Sequence, residues 1–199
     1  MNDTTFTAAA FLALTLAATP SFAQTVTPSD SVRESGLLSV ANTLDFAPFE
    51  YLDETGAQTG IIIELAGEVA NLVGAELDIQ RTPFPSMIPG LAAGRFDIAW
   101  ETFSATPDRL KQVEFVMFLK AGVAASTLPS LVDTFSGDYP LCGKRVGVSA
   151  GSASDFLVDE LNVTCADHDL EPIDKSVFNS STDIVQAVMS DRVDARMDD

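Results

Sequence analysis

An arginine at an unusual helix position is the clearest chemical signal in the sequence. In SATPDR (104–109), Thr106 precedes a proline and favours the extended backbone of a helix N-cap, and Pro107 suits the first helical position. Arg109 then falls at the third helical position, where a cation faces the positive end of the helix dipole. Its planar guanidinium could bind a carboxylate with two parallel hydrogen bonds. From these residues alone, an anion-binding arginine and a solvated surface arginine both remain open.

Three polar segments follow apolar runs that predict strands. They are ETFSATPDR (101–109), SAGSASD (149–155) and MDD (197–199). In open α/β sheets, ligands bind beyond the carboxyl ends of the strands. Because the segments come from both halves of the chain, a cleft between two lobes is the simplest geometry that uses all three.

The elements that must position these segments alternate between strand and helix. Strands are predicted in 36–42, 75–83 and 95–101, a hairpin around 53–56, and a short helix in 86–94 with Ser86 as N-cap and Gly94 just past its end. A longer helix should bury one face, made of Ile62, Leu65, Val69, Leu72 and Val73. This alternation predicts an open, largely parallel α/β sheet.

The same kind of pattern restarts in the second half of the chain. A strand, a glycine-containing turn and a helix are predicted in 142–161, a weak strand near 176–179, and then a helix with Ile184, Val185 and Val188 on one face, followed by a strand. We therefore expect lobe 1 at 36–121 and lobe 2 at 122–199. The Pro/Ser/Thr-rich residues 24–35 indicate a flexible leader.

The amino-terminal segment is typical of an export signal. An apolar run over about residues 8–18 is too short to span a bilayer, and Ser21-Phe22-Ala23 fits the small-x-small cleavage rule. We expect a signal peptide at 1–23, cleaved before Gln24, and export to the periplasm. No Lys or Arg precedes the run, which leaves an uncleaved anchor as the alternative.

Charge, cysteine and histidine content exclude several classes of function. The formal net charge of −18 opposes binding to nucleic acid or to anionic membrane. In an exported protein, Cys142 and Cys165 by default form a disulfide, and a metal pair has no supporting ligands. The single histidine, His168, lies in the acidic stretch CADHDLE and is expected to be a solvated loop residue. We expect no metal and no cofactor.

Four motifs occur in order along the chain: FAPFEYLDETGAQTGIIIELAGEVANLVG, SMIPGLAAGRFDIAWETFSATPDRLKQVEF, LCGKRVGVSAGS and DRVDARMDD. In this order and spacing they resemble the family 3 extracellular solute-binding proteins, the polar amino acid receptors of ABC importers. The resemblance covers about residues 36–199. It implies a periplasmic binding protein-like (type II) fold: two open-sheet α/β lobes joined by a hinge. Cys142 and Cys165 are also similar to the lobe-2 disulfide of one subgroup.

The resemblance implies roles for seven residues of a ligand site. Arg109 would grip the α-carboxylate of an amino acid, assisted by Ser104, with the carbonyl of Thr102 available to the ammonium group. In lobe 2, the hydroxyl and backbone N–H groups of Gly151 and Ser152 would complete the carboxylate site. Two further positions match the aromatic residue that packs on the ligand and the acid that pairs with its ammonium: Phe46, with a core phenylalanine as the alternative, and Asp199, with Asp198 as the fallback. Asp194 matches a structural motif position.

The resemblance implies a monomeric periplasmic protein that closes around a small-molecule ligand and delivers it to an ABC transporter permease. Alternatives on the same fold are a ligand-sensing domain and a cyclohexadienyl dehydratase-like enzyme, for which Glu101 would be the candidate acid. The chain departs from the family at Thr43, where many relatives carry an acid, and at Trp100 and Glu101. It also stops at Asp199, before the rest of lobe 2, which is why we expect a carboxy-terminal truncation.

Overall fold

The computed structural model describes residues 26–198. The predicted signal peptide at 1–23, its cleavage site and the candidate ligand residue Asp199 lie outside this range. The helices are α1 Asp30–Ser35, α2 Ile61–Val73, α3 Phe84–Ala92, α4 Pro107–Leu110, α5 Ala153–Asp167 and α6 Ser181–Met189. The strands are β1 Leu37–Asn42, β2 Asp45–Phe46, β3 Glu50–Leu52, β4 Gln58–Thr59, β5 Glu76–Arg81, β6 Ile98–Ala99, β7 Ala124–Thr127, β8 Arg145–Ser149, β9 Asp174–Phe178 and β10 Ala195–Asp198.

A three-stranded parallel sheet organises the first part of the chain, with strand order β5-β1-β6. Its central strand β1 buries Leu38 and Val40 beside Ala70 of α2. Val32 of α1 is 4% exposed and joins the same cluster. Residues 30–35 therefore form an anchored helix, and the prediction of a flexible leader is wrong there, because one apolar side chain fixes the segment to the core.

Helix α2 packs on a narrower face than its apolar spacing predicts. The buried residues are Ile62, Ala66 and Ala70, whereas Leu65 and Leu72 are exposed. The small alanine side chains let the helix approach the sheet closely, so the face rotates away from the two leucines. The predicted helix is confirmed, and two of its predicted core residues are wrong.

Helix α3 also differs at its start. Pro83 is the N-cap, and Ser86 lies inside the helix. Gly94 adopts a positive φ of 69° just past the carboxyl end, as expected for a glycine that terminates a helix.

A small antiparallel sheet, β2-β3-β4, lies beside the first sheet. The predicted hairpin is confirmed between β3 and β4, where Asp53 Oδ1 accepts the backbone N–H groups of Thr55 (2.8 Å) and Ala57 (2.9 Å). The hydrogen bond from the Thr55 side chain and those backbone bonds lower the pKa of Asp53. Gly60 follows with a φ of 124°, and a side chain there would lie 2.3 Å from the Phe49 carbonyl oxygen.

A four-stranded sheet organises the second part, with strand order β7-β10-β8-β9. Strands β8, β9 and β10 are parallel and β7 is antiparallel to β10. The core between this sheet and α5 contains Val146, Val148, Val158, Ile173 and Met197. The two larger sheets thus use residues 37–99 and 124–198, and the lobe boundary predicted at 121/122 stays a prediction within the segment between them.

Glycine at position 147 brings α6 close to the second sheet. A Cβ atom there would lie 2.7 Å from Ile184 Cγ2 and 3.3 Å from the Phe178 ring. Ile184 is fully buried, and Val188 is 7% exposed, whereas Val185 is 39% exposed and lies off the predicted face. Within residues 26–198, no helix combines the length and apolarity that a membrane crossing requires.

Candidate ligand-binding cleft

A cleft with about 540 Å³ of empty space, its open mouth included, lies between the two larger sheets. It adjoins the carboxyl ends of β1, β6 and β8, as the sequence predicts. The lining residues are Thr43, Asp45, Phe46, Phe84, Glu101, Thr102, Arg109, Ser149, Ala150, Ser152, Ala153, Asn179, Ser181 and Asp198. Residues of all three polar segments, 101–109, 149–155 and 197–199, are therefore brought together.

Arg109 reaches across this cleft. The Thr106 hydroxyl accepts the Arg109 backbone N–H at 3.4 Å, which confirms the predicted start of α4. The guanidinium donates from Nη1 to the Ser104 carbonyl (2.9 Å) and from Nη2 to the Gly151 carbonyl (2.7 Å). It lies 5.5 Å from the ring centre of Phe84 and 5.2 Å from that of Phe103. Two carbonyls and two rings thus fix the plane of a fork that suits a carboxylate.

Ser104 and Thr102 lie beside this guanidinium in different ways. Ser104 contacts Arg109 through its main-chain carbonyl and lies outside the cleft lining. Thr102 lines the cleft directly and is half-buried. Thr102 therefore lines the space that a ligand would enter, whereas Ser104 contacts the guanidinium through its main-chain carbonyl.

The turn between β8 and α5 forms the opposite wall, and its N–H groups are already engaged. Gly151 N–H donates to Asp155 Oδ2 (2.9 Å), and Ser152 N–H donates to the Ser149 carbonyl (3.1 Å). The Ser152 hydroxyl caps α5 by accepting Asp155 N–H at 3.2 Å. The expectation that these N–H groups complete a carboxylate site differs from this arrangement, because Asp155 binds the Gly151 N–H and the Ser149 carbonyl binds the Ser152 N–H.

Asp155 is itself held by Lys175 of β9. Lys175 Nζ lies 2.8 Å from Asp155 Oδ1 and 2.6 Å from Asp159 Oδ1. Burial acts to lower the pKa of Lys175, but its hydrogen bonds to the two aspartates outweigh burial, so the pKa is raised. The ion pair between Lys175 and Asp155 therefore stabilises the turn that contacts Arg109.

Strand β10 contributes a cation that the sequence analysis missed. The guanidinium of Arg196 lies 5.7 Å from the Phe46 ring, donates to the Ser181 hydroxyl (3.2 Å) and forms an ion pair with Asp198. Burial lowers the pKa of Arg196, against the opposing effect of the Asp45 carboxylate. The alternation along β10, with residues 195 and 197 buried, was the available signal that residues 196 and 198 share the other face. Asp198, the fallback for Asp199, lines the cleft.

Acidic side chains line the floor of the cleft on the first-sheet side. Glu101 is 5% exposed, and its Oε1 accepts Thr43 N–H at 2.6 Å. Burial raises the pKa of Glu101, although hydrogen bonds from Glu50 and Thr43 act in the other direction. Asp45 Oδ2 accepts Ser181 N–H at 3.2 Å, which is a second direct contact across the cleft. Glu101 is thus a buried acid of the cleft.

Comparison with known proteins matches this chain to a family. Residues 38–130 match the model of the bacterial extracellular solute-binding proteins, family 3. The arginine-binding extracellular protein ArtP of Bacillus subtilis is 32% identical over 190 residues, which cover 93% of this chain and 71% of ArtP. This chain belongs to family 3 of the extracellular solute-binding proteins.

Other relatives of this family 3 protein include an enzyme. Cyclohexadienyl dehydratase of Pseudomonas aeruginosa is 30% identical over 174 residues, 84% of this chain and 64% of that enzyme. The chain thus spans somewhat less than two thirds of the dehydratase. Among solved structures, the ancestral amino acid-binding protein AncCDT-1, described as a precursor of cyclohexadienyl dehydratase, superposes with a TM-score of 0.77 at 28% identity, covering 85% of this chain and 73% of that one.

Arginine-bound structures align equally well with the solute-binding fold of this chain. Holo ArgBP from T. maritima gives a TM-score of 0.75 at 29% identity over 85% of this chain and 72% of that one. The expected fold class is confirmed: the chain has the mixed α/β, open-sheet architecture of type II periplasmic binding proteins.

The predicted disulfide of this solute-binding protein forms far from Arg109 along the chain. Cys142 and Cys165 are bonded, with their Cα atoms 5.8 Å apart. Cys165 lies in α5, which extends to Asp167 and includes residues we expected in a loop. His168 is exposed, as expected, and its Nε2 lies 2.6 Å from the Tyr139 hydroxyl. Among residues 26–198, no group of His, Cys, Asp and Glu side chains could hold a metal ion.

Proposed function

We propose that this protein binds an amino acid, or a similar zwitterion, between its two sheets and delivers it to an ABC importer. The observation that carries the proposal is the guanidinium of Arg109, which lies in the cleft and is flanked by two aromatic rings. Such a fork binds a carboxylate with two parallel hydrogen bonds. Membership of an extracellular solute-binding family and the amino acid-binding relatives support the same proposal.

The zwitterion would divide its two charges between the two sides of the cleft. Its carboxylate would pair with Arg109 beside Ser104, and its ammonium group with the acid at the end of β10, Asp199 or Asp198, assisted by the carbonyl of Thr102. Phe46 would pack on the ligand, opposite the turn formed by Gly151 and Ser152. A ligand that binds both sides stabilises the closed arrangement, which a permease can recognise.

The acids of the cleft favour a ligand with a cationic side chain. Asp45 and Glu101 line the cleft in addition to Asp198, so a carboxylate remains for a third ligand charge after the zwitterion is paired. Phe46 and Phe84 line the same space and offer apolar contact to the stem of a long side chain. Several relatives are named for arginine binding. L-arginine is therefore the first ligand to test.

Isothermal titration calorimetry with L-arginine, L-glutamate and L-leucine tests the proposal, with Arg109→Ala beside the wild type. We expect L-arginine to bind with the highest affinity and Arg109→Ala to abolish that binding. The exposed Lys111→Ala is the matched control, because Lys111 follows Arg109 closely and its side chain contacts Asp108 at the surface. Binding that survives in Arg109→Ala would contradict the proposed carboxylate site.

A dehydratase activity is the second candidate, and the buried acid Glu101 is the observation that favours it. An acid whose pKa is raised by burial stays protonated nearer to neutral pH and can donate a proton to a leaving hydroxyl group. The relative from Pseudomonas aeruginosa is such an enzyme by name. Incubation with prephenate and arogenate, followed by chromatography of the products, separates the two functions. Turnover by the wild type that is lost in Glu101→Gln would establish the enzyme. No turnover by the wild type would leave the binding function.

A further inference from the structure

Two glutamates form a buried acid pair directly below the cleft. Glu50 of β3 is fully buried and Glu101, after β6, is 5% exposed. Burial has the larger effect on the pKa of Glu101 and raises it, whereas the Glu50 carboxyl acts as a hydrogen-bond partner that lowers it, which brings the two carboxyl groups into contact. Two carboxylates in such contact cannot both remain ionised in a site shielded from water, whereas one shared proton converts the repulsion into a hydrogen bond.

This pair holds the segment that forms one wall of the cleft. Glu101 Oε1 accepts Thr43 N–H at 2.6 Å, and Glu50 lies opposite Phe46 in the β2–β3 ladder. Both ends of the wall segment 43–46 are therefore attached to the acid pair, one by a side-chain hydrogen bond and the other by strand pairing.

The wall segment needs such attachments because its backbone is strained. Leu44 is buried and adopts a φ of 57°, a left-handed conformation that is unfavourable for residues other than glycine. Asn42 supports it from the other side: its Oδ1 accepts Leu44 N–H at 2.8 Å, and its Nδ2 donates to the Trp100 carbonyl at 2.8 Å. If the hydrogen bond from Thr43 N–H to Glu101 were lost, the Asn42 side chain would be left to hold Leu44 in this conformation.

We propose that one proton shared between the carboxyls of Glu50 and Glu101 holds the 43–46 wall of the cleft in place, and that loss of this proton loosens the wall. Glu50 and Glu101 are positioning residues in this arrangement. A consequence, which rests on the proposed function, is that ligand affinity falls as the proton is lost.

Charged groups from three further elements face the pair and its wall. Asp45 of β2 adds a negative charge that raises the pKa of Glu101. Arg109 of α4 and Asp198 of β10 line the same cleft, and Arg196 of β10 lies over the Phe46 ring. Burial and Asp45 oppose ionisation of Glu101.

The direction of the pH dependence follows from proton counting. In the unfolded chain, both glutamates lose their protons near the ordinary pKa of about 4.3. The folded pair keeps one proton at higher pH, so the folded state binds more protons over that window. The free energy of unfolding therefore falls as the pH rises above about 4.3, until the shared proton is lost.

The single tryptophan of the chain, Trp100, precedes Glu101 and allows a test that needs no ligand. Its fluorescence is followed from pH 4 to pH 9 in the wild type, Glu50→Gln and Glu101→Gln, with Glu68→Gln as control because Glu68 is exposed on α2. In either pair variant the amide can donate to the remaining carboxylate, so the wall stays attached without a shared proton. Circular dichroism and thermal unfolding across the same pH range confirm folding and read out stability.

We expect a fluorescence transition in the wild type and in Glu68→Gln, with a midpoint above the ordinary glutamate pKa of about 4.3. The transition should be absent in Glu50→Gln and Glu101→Gln, whose melting temperatures should also fall less as the pH rises. Identical profiles in all four proteins would overturn the proposal. A transition that persists in both pair variants would assign it to another group and would equally overturn the proposal.

Calorimetry with L-arginine at pH 5.5 and pH 8 then connects the pair to ligand binding. We expect the wild-type affinity to fall roughly tenfold between these pH values as the shared proton is lost, and the Glu50→Gln affinity to stay constant. If L-arginine binds none of the proteins, the proposed ligand is wrong, and the fluorescence profiles alone decide the proposal about the acid pair.

Discussion

The two sides of the cleft are built by different means. On the first-sheet side, charged side chains extend from very short elements: Arg109 lies on the four-residue α4, and Glu101 follows the two-residue β6. On the second-sheet side, the turn at Gly151 joins a five-residue strand to the 15-residue α5, and that side also holds the disulfide.

The difference separates recognition from stability. Short elements let side chains enter the cleft at angles that long regular elements would restrict. Apart from Asp198 at the end of β10, the opposite wall offers mainly backbone groups and small polar side chains, and its turn is fixed by Asp155, Lys175 and the core behind them. Substitutions on the first-sheet side should therefore affect ligand affinity, and substitutions in the core of the second-sheet side should affect stability. Both quantities should change where a residue that stabilises the fold also supports a cleft-lining turn, as Asp155 does.

The largest effect should come from Arg109→Lys. Lysine keeps the positive charge but lacks the planar fork, so we expect L-arginine affinity to fall roughly 100-fold, which corresponds to about 3 kcal/mol. The melting temperature without ligand should change little. Calorimetry and thermal unfolding measure the two quantities, and Lys111→Gln is the control. An affinity within threefold of the wild type would show that charge alone matters at this position.

Removal of the disulfide should give the opposite result. The bridge joins cysteines 23 positions apart, and closing a loop of that size in the unfolded chain is worth about 3 kcal/mol. We expect Cys142→Ser combined with Cys165→Ala to lower the melting temperature by several degrees and to leave L-arginine affinity unchanged at 15 °C. A change in affinity with the fold intact would show that the disulfide also positions the cleft wall.

Asp155→Ala tests the support of this cleft-lining turn. The substitution removes the acceptor of Gly151 N–H and one partner of Lys175, so the turn facing Arg109 loses its support. We expect roughly tenfold weaker L-arginine binding together with a lower melting temperature, since a hydrogen bond to a charged group is worth about 1.5–3 kcal/mol. Asp155→Asn, which keeps an acceptor oxygen, should recover most of the affinity. Equal affinities for Asp155→Ala and the wild type would show that Asp155 does not support the turn that faces Arg109.

Asp194→Asn should have the smallest effect, on stability alone. Asp194 accepts Arg145 backbone N–H (2.8 Å) and Nη2 (2.6 Å), and these hydrogen bonds lower the pKa of Asp194. A lowered pKa stabilises the folded state above the ordinary pKa of 3.8, and the benefit disappears as the pH falls through the lowered value. We therefore expect the variant to be about 1 kcal/mol less stable at pH 7.

The pH dependence of that difference is the sharper measurement. Urea unfolding at pH 7 and pH 3 should show the gap between Asp194→Asn and the wild type closing at the lower pH. Asp191→Asn is the control, because Asp191 also pairs with Arg145 but its side chain is 78% exposed. A gap that is unchanged at pH 3 would mean that lost packing, and not lost charge, causes the destabilisation.

Local patterns predicted most elements of the fold, and they failed where distant partners decide. β1, β5, β8 and the hairpin after β3 follow directly from apolar runs and turn residues. The end of α5 was missed because its sequence is polar, whereas the structure holds it through Cys165 and through Asn162, whose Oδ1 accepts Ile173 N–H at 2.6 Å. The partners of these two helix residues, Cys142 and Ile173, cannot be identified from the helix sequence itself.

The cleft shows the same limit. Arg109 was identifiable because it breaks a local rule at a helix start. Arg196 and Glu50 break no local rule, and their importance arises from Phe46 and Glu101, which are distant in sequence. The roles predicted for the Gly151 and Ser152 N–H groups came from resemblance alone, and it could not reveal that Asp155 and Ser149 already bind them.

Gly147 has a consequence for how this protein can diversify. Its missing side chain allows Ile184 to contact the sheet directly, and the helix that carries Ile184 begins at Ser181, which donates to Asp45 on the other side of the cleft. The width of the cleft therefore depends on a residue that no ligand can touch. Among homologues, a larger residue at this position should accompany a changed ligand range even where every cleft-lining residue is identical.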